Sequence, residues 1–352
     1  MDLITSSQAK IFYQALLDKD PAYEGTFVVG IKTTGIFCRP TCPARKPKFE
    51  NCKFFNTPQE ALLASFRPCM RCCPLLYPNQ VPTLVQKLIE AVETNPEKRW
   101  KEHDFKKLSI DASTIRRQFK KRFGMTFVEY ARIRRMKLAM EQIQKGQSVI
   151  AAQLDSGYES SSGFRDAFTK LIGGAPTKFD KHLIVLISSL IDTPLGSMLA
   201  ITDKNFLYFL KFIDQSNLKQ EIESLRIKIK ATIIPGRTPI TDQIEVELQK
   251  YFEGSLKDFK TPIYCLGSTF QQLVWSELMR IPYGQTTSYS NQAKSIGKET
   301  AYRAVANANA ANQIYIVIPC HRIIKNNSKL GGYGGGIHRK QWLIAHERQH
   351  QQ

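Results

Sequence analysis

The stretch "IVIPCHRIIKNN" spans Ile316 to Asn327. An apolar run, Ile316, Val317 and Ile318, ends at Pro319. A thiol, an imidazole and a guanidinium then follow in succession at Cys320, His321 and Arg322. Such a run before a proline reads as the end of a buried strand. A thiol beside an imidazole can become a nucleophile, because the imidazole can accept the thiol proton. The plain alternative is a core cysteine next to surface polar residues. The rest of the chain decides between the two.

A chain of 352 residues exceeds one small core and suggests roughly two to four domains. Fifty Lys and Arg against 31 Asp and Glu leave a net charge of +19. A charge of that size favours a polyanionic partner. No apolar run approaches the roughly 18 residues that span a bilayer, so a membrane is not expected as a partner. The opening "MDLITSSQAKIFYQALLDKD" has neither a basic n-region nor a continuous apolar h-region. The expected location is therefore the cytoplasm, where thiols stay reduced. The eight cysteines then read as ligands or nucleophiles.

Six of the eight lie between Cys38 and Cys73, in "TTGIFCRPTCPARK" and "FRPCMRCCP" with Cys52 between; Cys265 and Cys320 stand apart. Cys38 and Cys42 form one short-spaced pair, and Cys69 and Cys72 a second. Two such pairs supply four thiolates to a tetrahedral zinc. Cys73 is an alternative to Cys72, but the two-residue spacing favours Cys72. Cys52 reads as a bystander. A cysteine bound to zinc is held as thiolate at neutral pH and needs no separate base. Arg39, Arg45, Lys46, Lys48, Arg67 and Arg71 surround the cluster in sequence and are available to phosphates.

These two segments resemble the N-terminal domain of the Ada family of adaptive-response regulators and DNA methyltransferases. The resemblance implies that one zinc thiolate is also a reagent, which takes the methyl group of a methylphosphotriester in the DNA backbone. The acceptor would be Cys38, with Cys42, Cys69 and Cys72 as the other zinc ligands. Thr34, Arg45 and Arg67 would contact the DNA.

From Val81 the pattern becomes helical. Leu84, Val85, Leu88, Ile89 and Val92 share one face, and Asn95-Pro96 ends it. Ser113 can cap a following helix through Ile115 and Phe119, which Gly124 closes. Phe127, Tyr130, Ile133, Met136, Leu138 and Met140 mark a longer helix ending at Gly146. Ile150, Ala151 and Leu154 then give a short helix, Gly157 a turn, and Ser160 or Ser161 the cap of a helix carrying Phe164 and Phe168. Helix, glycine turn and helix is the plan whose second helix reads a major groove. Between Lys98 and His182 there are 19 Lys and Arg and nine Asp and Glu, a net of +10 that suits phosphate neutralisation. The segment resembles the AraC-type DNA-binding domain, with two helix-turn-helix units joined by a long helix. Its second unit follows the pattern. Its first departs from it at Asp104 or Phe105, where such domains prefer a small residue.

Beyond His182, "HLIVLISSL" and "GSMLAITDKNFLYFLKF" read as strands, and "QEIESLRIKIKATIIPG" as a helix and a strand. Phe270, Val274, Trp275 and Leu278 form an apolar helix face ended by Pro282 and Gly284. "TAYRAVANANAANQ" is a small-residue helix before the opening stretch. "FQQLVW", "IPYGQTTSY", "AYRAVANANAANQ" and "IPCHR" resemble, in order and spacing, the O6-alkylguanine-DNA alkyltransferase family. This resemblance implies that Cys320 accepts a methyl group from guanine O6, and from thymine O4. His321 would take the thiol proton, directly or through a water, with Glu347 orienting it. Asn312 would brace the turn, and Tyr289 would protonate the leaving guanine. Arg303 would fill the stack left by a flipped nucleotide. Tyr333 and the glycines at 331–336 would wall the pocket.

The expected fold is multidomain α+β. It comprises a small zinc-binding α/β domain at 1–80 and an all-α double helix-turn-helix domain at 81–182. A ribonuclease H-like α/β subdomain at 183–265 and a winged-helix-like catalytic subdomain at 266–352 complete it. The resemblances together imply a single-turnover DNA methyltransferase and transcriptional activator, holding one Zn2+. They imply double-stranded DNA and RNA polymerase as partners, a monomer, and association with the nucleoid. The competing readings are a non-catalytic zinc transcription factor and a cysteine hydrolase.

Overall fold

The structure is a computed structural model. It describes residues 4–351 apart from 21–22, 57, 70, 73, 75–82, 108–114, 117–118, 121–122, 124, 173, 181 and 326–328. Cys73, Val81, Ser113 and Gly124 lie outside the described residues.

Helix α1 (Ser6–Asp18) starts at a capping box, in which Thr5 accepts from the Gln8 amide and Gln8 reaches back to Thr5. A small sheet follows. Strand β1 (Val28–Ile31) pairs antiparallel with β2 (Ile36–Cys38) and β3 (Cys52–Phe55). Helix α2 (Pro58–Leu63) leads to the short β4 (Arg67–Pro68), which lies parallel to β2. That parallel pairing carries the second cysteine pair to the end of β2, where Cys38 sits.

The all-helical part holds α3 (Thr83–Thr94), α4 (Glu102–Lys107), the long α5 (Phe127–Gln144), α6 (Val149–Asp155) and α7 (Ser161–Ile172). Val85, Leu88, Val92, Phe105, Ile115, Phe119 and Phe127 form one core. Phe105 is thus a core side chain between Trp100 and Phe127. Met136, Ala139, Met140, Ala152, Phe164 and Phe168 form another. The first half of α5 serves one unit and the second half the other. Gly157 turns between α6 and α7 with φ +72°, a conformation that favours glycine. The sequence reading of α6 chose the wrong face. Ile150 and Leu154 are 69% and 62% exposed, while Ala152, Gln153 and Ser156 are buried. The small Ala152 permits close approach, and the two phenylalanines of α7 supply the bulk.

Strands β5 (Ile184–Thr193), β6 (Gly196–Thr202) and β7 (Leu207–Phe212) form an antiparallel meander. Helix α8 (Leu218–Ile229) crosses over to β8 (Ala231–Pro235), which pairs parallel with β5. Every residue of β7 is buried, because the sheet is covered on both faces. Leu225 of α8 packs on one face. The other face meets α9 (Pro239–Phe252), a helix the sequence reading passed over, and the C-terminal helices.

Those helices are α10 (Thr269–Met279), α11 (Tyr289–Ser295), α12 (Tyr302–Ala310) and α13 (Ile337–Gln349). Strands β9 (Thr287–Ser288) and β10 (Ile323–Ile324) pair parallel beside them. Helices α11 and α12 with this small ribbon give the winged-helix-like arrangement. Among the described residues, no helix is long and apolar enough to cross a membrane.

Candidate functional site

Two sites emerge, one in each terminal domain. In the first, the sulfurs of Cys38, Cys42, Cys69 and Cys72 all lie within 4.8 Å of one another. Four sulfurs around one Zn2+ at about 2.3 Å would sit about 3.8 Å apart, so the cluster fits a tetrahedral zinc. The donors are soft, and three of the four residues are buried. Thiols this close compete for protons. Hydrogen bonds from Cys38 and Cys72 hold Cys42 down to about 2, and the bond to Cys42 pushes Cys38 up. The Arg39 amide points at Cys72 Sγ, 3.4 Å away. Cys52 stands apart from the four, its Sγ directed at the Lys48 carbonyl.

Cys38, Thr34, Arg45 and Arg67 line one cleft of about 610 Å3, with Arg71 at its edge. Thr34, Arg45 and Arg67 are exposed, so residues chosen from sequence converge on one open surface. Lys46 also lines it, but its ammonium donates to the Cys42 and Pro40 carbonyls at 2.9 and 3.3 Å. Lys46 therefore fastens the cysteine turn. Lys48 faces Glu50.

The second site surrounds Cys320, and the opening stretch is not the strand its apolar run suggests. The Leu210 amide donates to the Gln313 carbonyl and the Tyr315 amide to the Leu210 carbonyl, a single bridge to the edge strand β7. Ile316 then takes φ +72°, and Cys320 to Arg322 form a 3-10 turn. Asn312, fully buried, makes this possible. Its Nδ2 donates to the Ile318 carbonyl at 2.8 Å and to Cys320 Sγ at 3.2 Å, and its Oδ1 accepts from the Ile314 amide at 2.9 Å. A side chain six residues upstream thus replaces the missing strand partner.

His321 is completely buried, and its Nε2 lies 2.8 Å from Glu347 Oε1. Its Nδ1 has no hydrogen-bond partner among the described residues. With the proton on Nε2, given to the carboxylate, Nδ1 keeps a free lone pair. Among the described residues, no direct hydrogen bond joins Cys320 and His321. Burial pushes the Cys320 thiol up, with Asn312 acting against it. Burial pulls His321 down, with Glu347 opposing.

Glu347 is the hub. Arg322 Nε and Nη2 donate to its two oxygens at 2.8 and 3.1 Å, Tyr251 Oη donates at 2.8 Å, and the Gly284 amide at 3.1 Å. Burial opposes its charge, but His321 and Arg322 hold the carboxyl well below the usual range. Sequence reading missed Arg322 and Tyr251 in this role. It also missed Lys340, whose ammonium bonds the Ile323 and Gly332 carbonyls and so ties the cysteine turn to the glycine loop. Burial pulls Lys340 down to about 8. Arg322 stood in the motif itself, whereas Tyr251 lay on the overlooked helix.

Tyr289 opens α11 half-buried, and its ring faces Gly331. Burial and the neighbouring Cys320 raise its phenol. Tyr333 lies with its ring 6.3 Å from His321 and 5.2 Å from Tyr315. A Cβ at Gly334 would meet Tyr315 Oη at 2.0 Å, and one at Gly335 would meet the Tyr333 ring, so small residues are required there. Arg303 is exposed in the first turn of α12, in line with exposed Ala304, Asn307 and Ala310. The opposite face is fixed by Val305, by Trp275 donating to the Ala308 carbonyl at 2.8 Å, and by Asn309 donating to Gln292 at 2.7 Å. A helix with a small outer face and one guanidinium can lie close to a nucleic acid.

Three family models match the chain: the metal binding domain of Ada over residues 11–74, a helix-turn-helix domain over 105–182, and the DNA binding domain of 6-O-methylguanine DNA methyltransferase over 269–349. The bifunctional transcriptional activator/DNA repair enzyme Ada of Escherichia coli K12 is 31% identical over 370 residues, covering 97% of this chain and 96% of that protein. A methylated-DNA--protein-cysteine methyltransferase of Mycolicibacterium paratuberculosis is 39% identical over 166 residues, 46% of this chain and 91% of that protein. The crystal structure of Mycobacterium tuberculosis OGT in complex with DNA covers 47% of this chain and 94% of its own, with 34% identity and a TM-score of 0.41.

Proposed function

The chain belongs to the Ada family, and on that premise we propose how its residues divide the work. It is a DNA repair methyltransferase and transcriptional activator that carries one Zn2+ and binds DNA. The hydrolase and non-catalytic readings are not favoured.

We assign Cys320 as the acceptor for methyl groups on guanine O6, and on thymine O4. The observation that carries this is the buried relay of Cys320, a free His321 Nδ1 and the ionised Glu347. The thiol proton passes through a water to Nδ1, and Glu347 stabilises the imidazolium. The sulfur forms a bond to the methyl carbon as the carbon–oxygen bond breaks. The electron pair leaves on guanine, and the Tyr289 phenol supplies the proton guanine needs. Arg303 takes the place of the nucleotide drawn out of the stack. Asn312 holds the turn, and Tyr333 walls the pocket.

We assign Cys38 as the acceptor from methylphosphotriesters, with Thr34, Arg45 and Arg67 holding the backbone. When bound, Zn2+ supplies a thiolate at neutral pH without a base. Methylation turns Cys38 into a neutral thioether and takes one negative charge from the cleft. A thioether is a poor leaving group, so each cysteine acts once. The same reading divides the chain after residues 80, 182 and 265. It assigns RNA polymerase as partner, a monomeric state, and a cytoplasmic, nucleoid-associated location.

Cys320→Ala tests the division of labour. It should abolish methyl removal from guanine and leave phosphotriester repair at its original rate. Equal loss of both activities refutes separate sites.

A further inference from the structure

Glu347 Oε1 has more donors than lone pairs. A carboxylate oxygen offers two good acceptor directions. Oε1 lies 2.8 Å from His321 Nε2, 2.8 Å from the Tyr251 hydroxyl and 3.1 Å from Arg322 Nη2. Oε2 takes Arg322 Nε at 2.8 Å and the Gly284 amide at 3.1 Å. Tyr251 and the imidazole therefore compete for one oxygen. Tyr251 and His321 have no exposed surface and Glu347 is 1% exposed, so bulk water does not relieve the competition.

Tyr251 reaches this oxygen from α9, 96 positions away in sequence. Its ring sits among Phe259, Tyr283 and His346, with centroids 5.5, 5.9 and 5.6 Å away, so its hydroxyl is held in one direction. Burial and the charge of Glu347 raise its phenol well above 10, and it stays a donor across the working range of pH. A hydroxyl that donates to a carboxylate draws off part of the negative charge that would otherwise hold an imidazolium.

We propose that Tyr251 is a positioning residue for methyl transfer at Cys320: by donating to Glu347 Oε1 it limits how tightly the carboxylate holds protonated His321, and so sets the strength of the base. The proposal rests on the relay reading of Cys320, His321 and Glu347. The other groups around the carboxylate act differently. Arg322 is charged at every working pH. Tyr283 has no hydrogen-bond partner for its hydroxyl among the described residues, and burial raises it to about 12. His346 gives its Nε2 proton to the Tyr251 carbonyl at 2.8 Å. The Lys340 ammonium bonds the Ile323 and Gly332 carbonyls, and its charge, like that of Arg322, works against the imidazolium.

The experiment measures the single-turnover rate of methyl transfer from an O6-methylguanine duplex to the full-length, zinc-loaded protein between pH 4.5 and 9. The amplitude counts folded, reactive molecules, and the midpoint of the acid limb reads the base. Tyr251→Phe removes the hydroxyl and keeps the ring. Its midpoint should rise by about 0.5–1 pH unit, which lowers the rate on the acid limb about 3- to 10-fold and leaves the plateau within about twofold. A side chain that only fills the core would lower the amplitude and leave the midpoint in place. Tyr251→3-fluorotyrosine is the second arm, because it keeps both the ring and the hydroxyl. Its more acidic phenol donates more strongly, so the midpoint should fall. Where Tyr251→Phe yields no active protein, this arm decides alone. A midpoint that stays in place, or moves the opposite way in either arm, overturns the proposal. If the unaltered protein transfers methyl to Cys320 with no acid limb at all, the His321 relay itself fails and takes the proposal with it.

Discussion

His321 Nε2 and Glu347 Oε1 lie 2.8 Å apart across 26 positions of sequence, both buried. The contact places the proton on Nε2 and leaves Nδ1 with the lone pair that the proposed relay uses as base. It also sets the pH behaviour. Burial lowers His321 from its ordinary 6.5. The base is lost when the imidazole is protonated, so methyl transfer to Cys320 should fall on the acid side with a midpoint below 6.5. Glu347 is ionised far into acid, so its contribution to stability is present above the ordinary carboxylate range and is lost only below it. The acid limb therefore belongs to His321. Tyr289 is raised above 10 and keeps its proton through the alkaline range up to that point. Single-turnover rates between pH 5 and 10 check this, and an acid midpoint at 7 or above contradicts it.

Glu347→Gln tests the hub. The substitution keeps the shape but leaves the buried Arg322 guanidinium without an anion. Breaking a buried ion pair in this way costs about 3–5 kcal/mol. The imidazolium also loses its counter-charge, and the transfer rate at Cys320 should drop about 100-fold. Urea unfolding followed by tryptophan fluorescence reads the first effect, since Trp275 and Trp342 both belong to the core around this site. Phosphotriester repair at Cys38 should be unaffected.

Much of both sites was legible because their chemistry is written in short spacings. Cys38 and Cys42, then Cys69 and Cys72, stand close in sequence, and one parallel strand pair brings them together. Cys320 and His321 are neighbours outright. Three features were hidden. The turn at Cys320 looked like a strand because Asn312 braces it from eight residues upstream and local apolar content does not reveal it. Tyr251 reaches Glu347 from 96 positions away, and no local pattern marks that distance. The buried face of α6 was misread because Ala152 packs there by being small, while the larger Ile150 and Leu154 face outward.

The cleft around Cys38 predicts a switch. On the proposed assignment, methylation of Cys38 would take the zinc-loaded four-thiolate site from a formal −2 to −1 beside the phosphates that Arg45 and Arg67 would hold. Each phosphate at roughly 8 Å, with an effective dielectric near 40, contributes about 1 kcal/mol. Two or three together give about 2–3 kcal/mol, or on the order of 30- to 150-fold in affinity. Salt should shrink the gain, since screening acts over the same range. Titrating one promoter fragment with methylated and unmethylated protein at two salt concentrations measures it. Equal affinities at low salt rule out the charge mechanism.

On the proposed assignment, two cysteines in two domains each accept one methyl group, once. Intact-protein mass spectrometry after incubation with methylated DNA tests it most directly. DNA carrying only methylphosphotriesters should add one methyl, about 14 Da, mapped to Cys38, and DNA carrying only O6-methylguanine should add one mapped to Cys320. DNA carrying both should add two and no more, however long the incubation. An unmodified protein with continuing loss of methyl from the DNA, or both additions on one domain, would contradict the account.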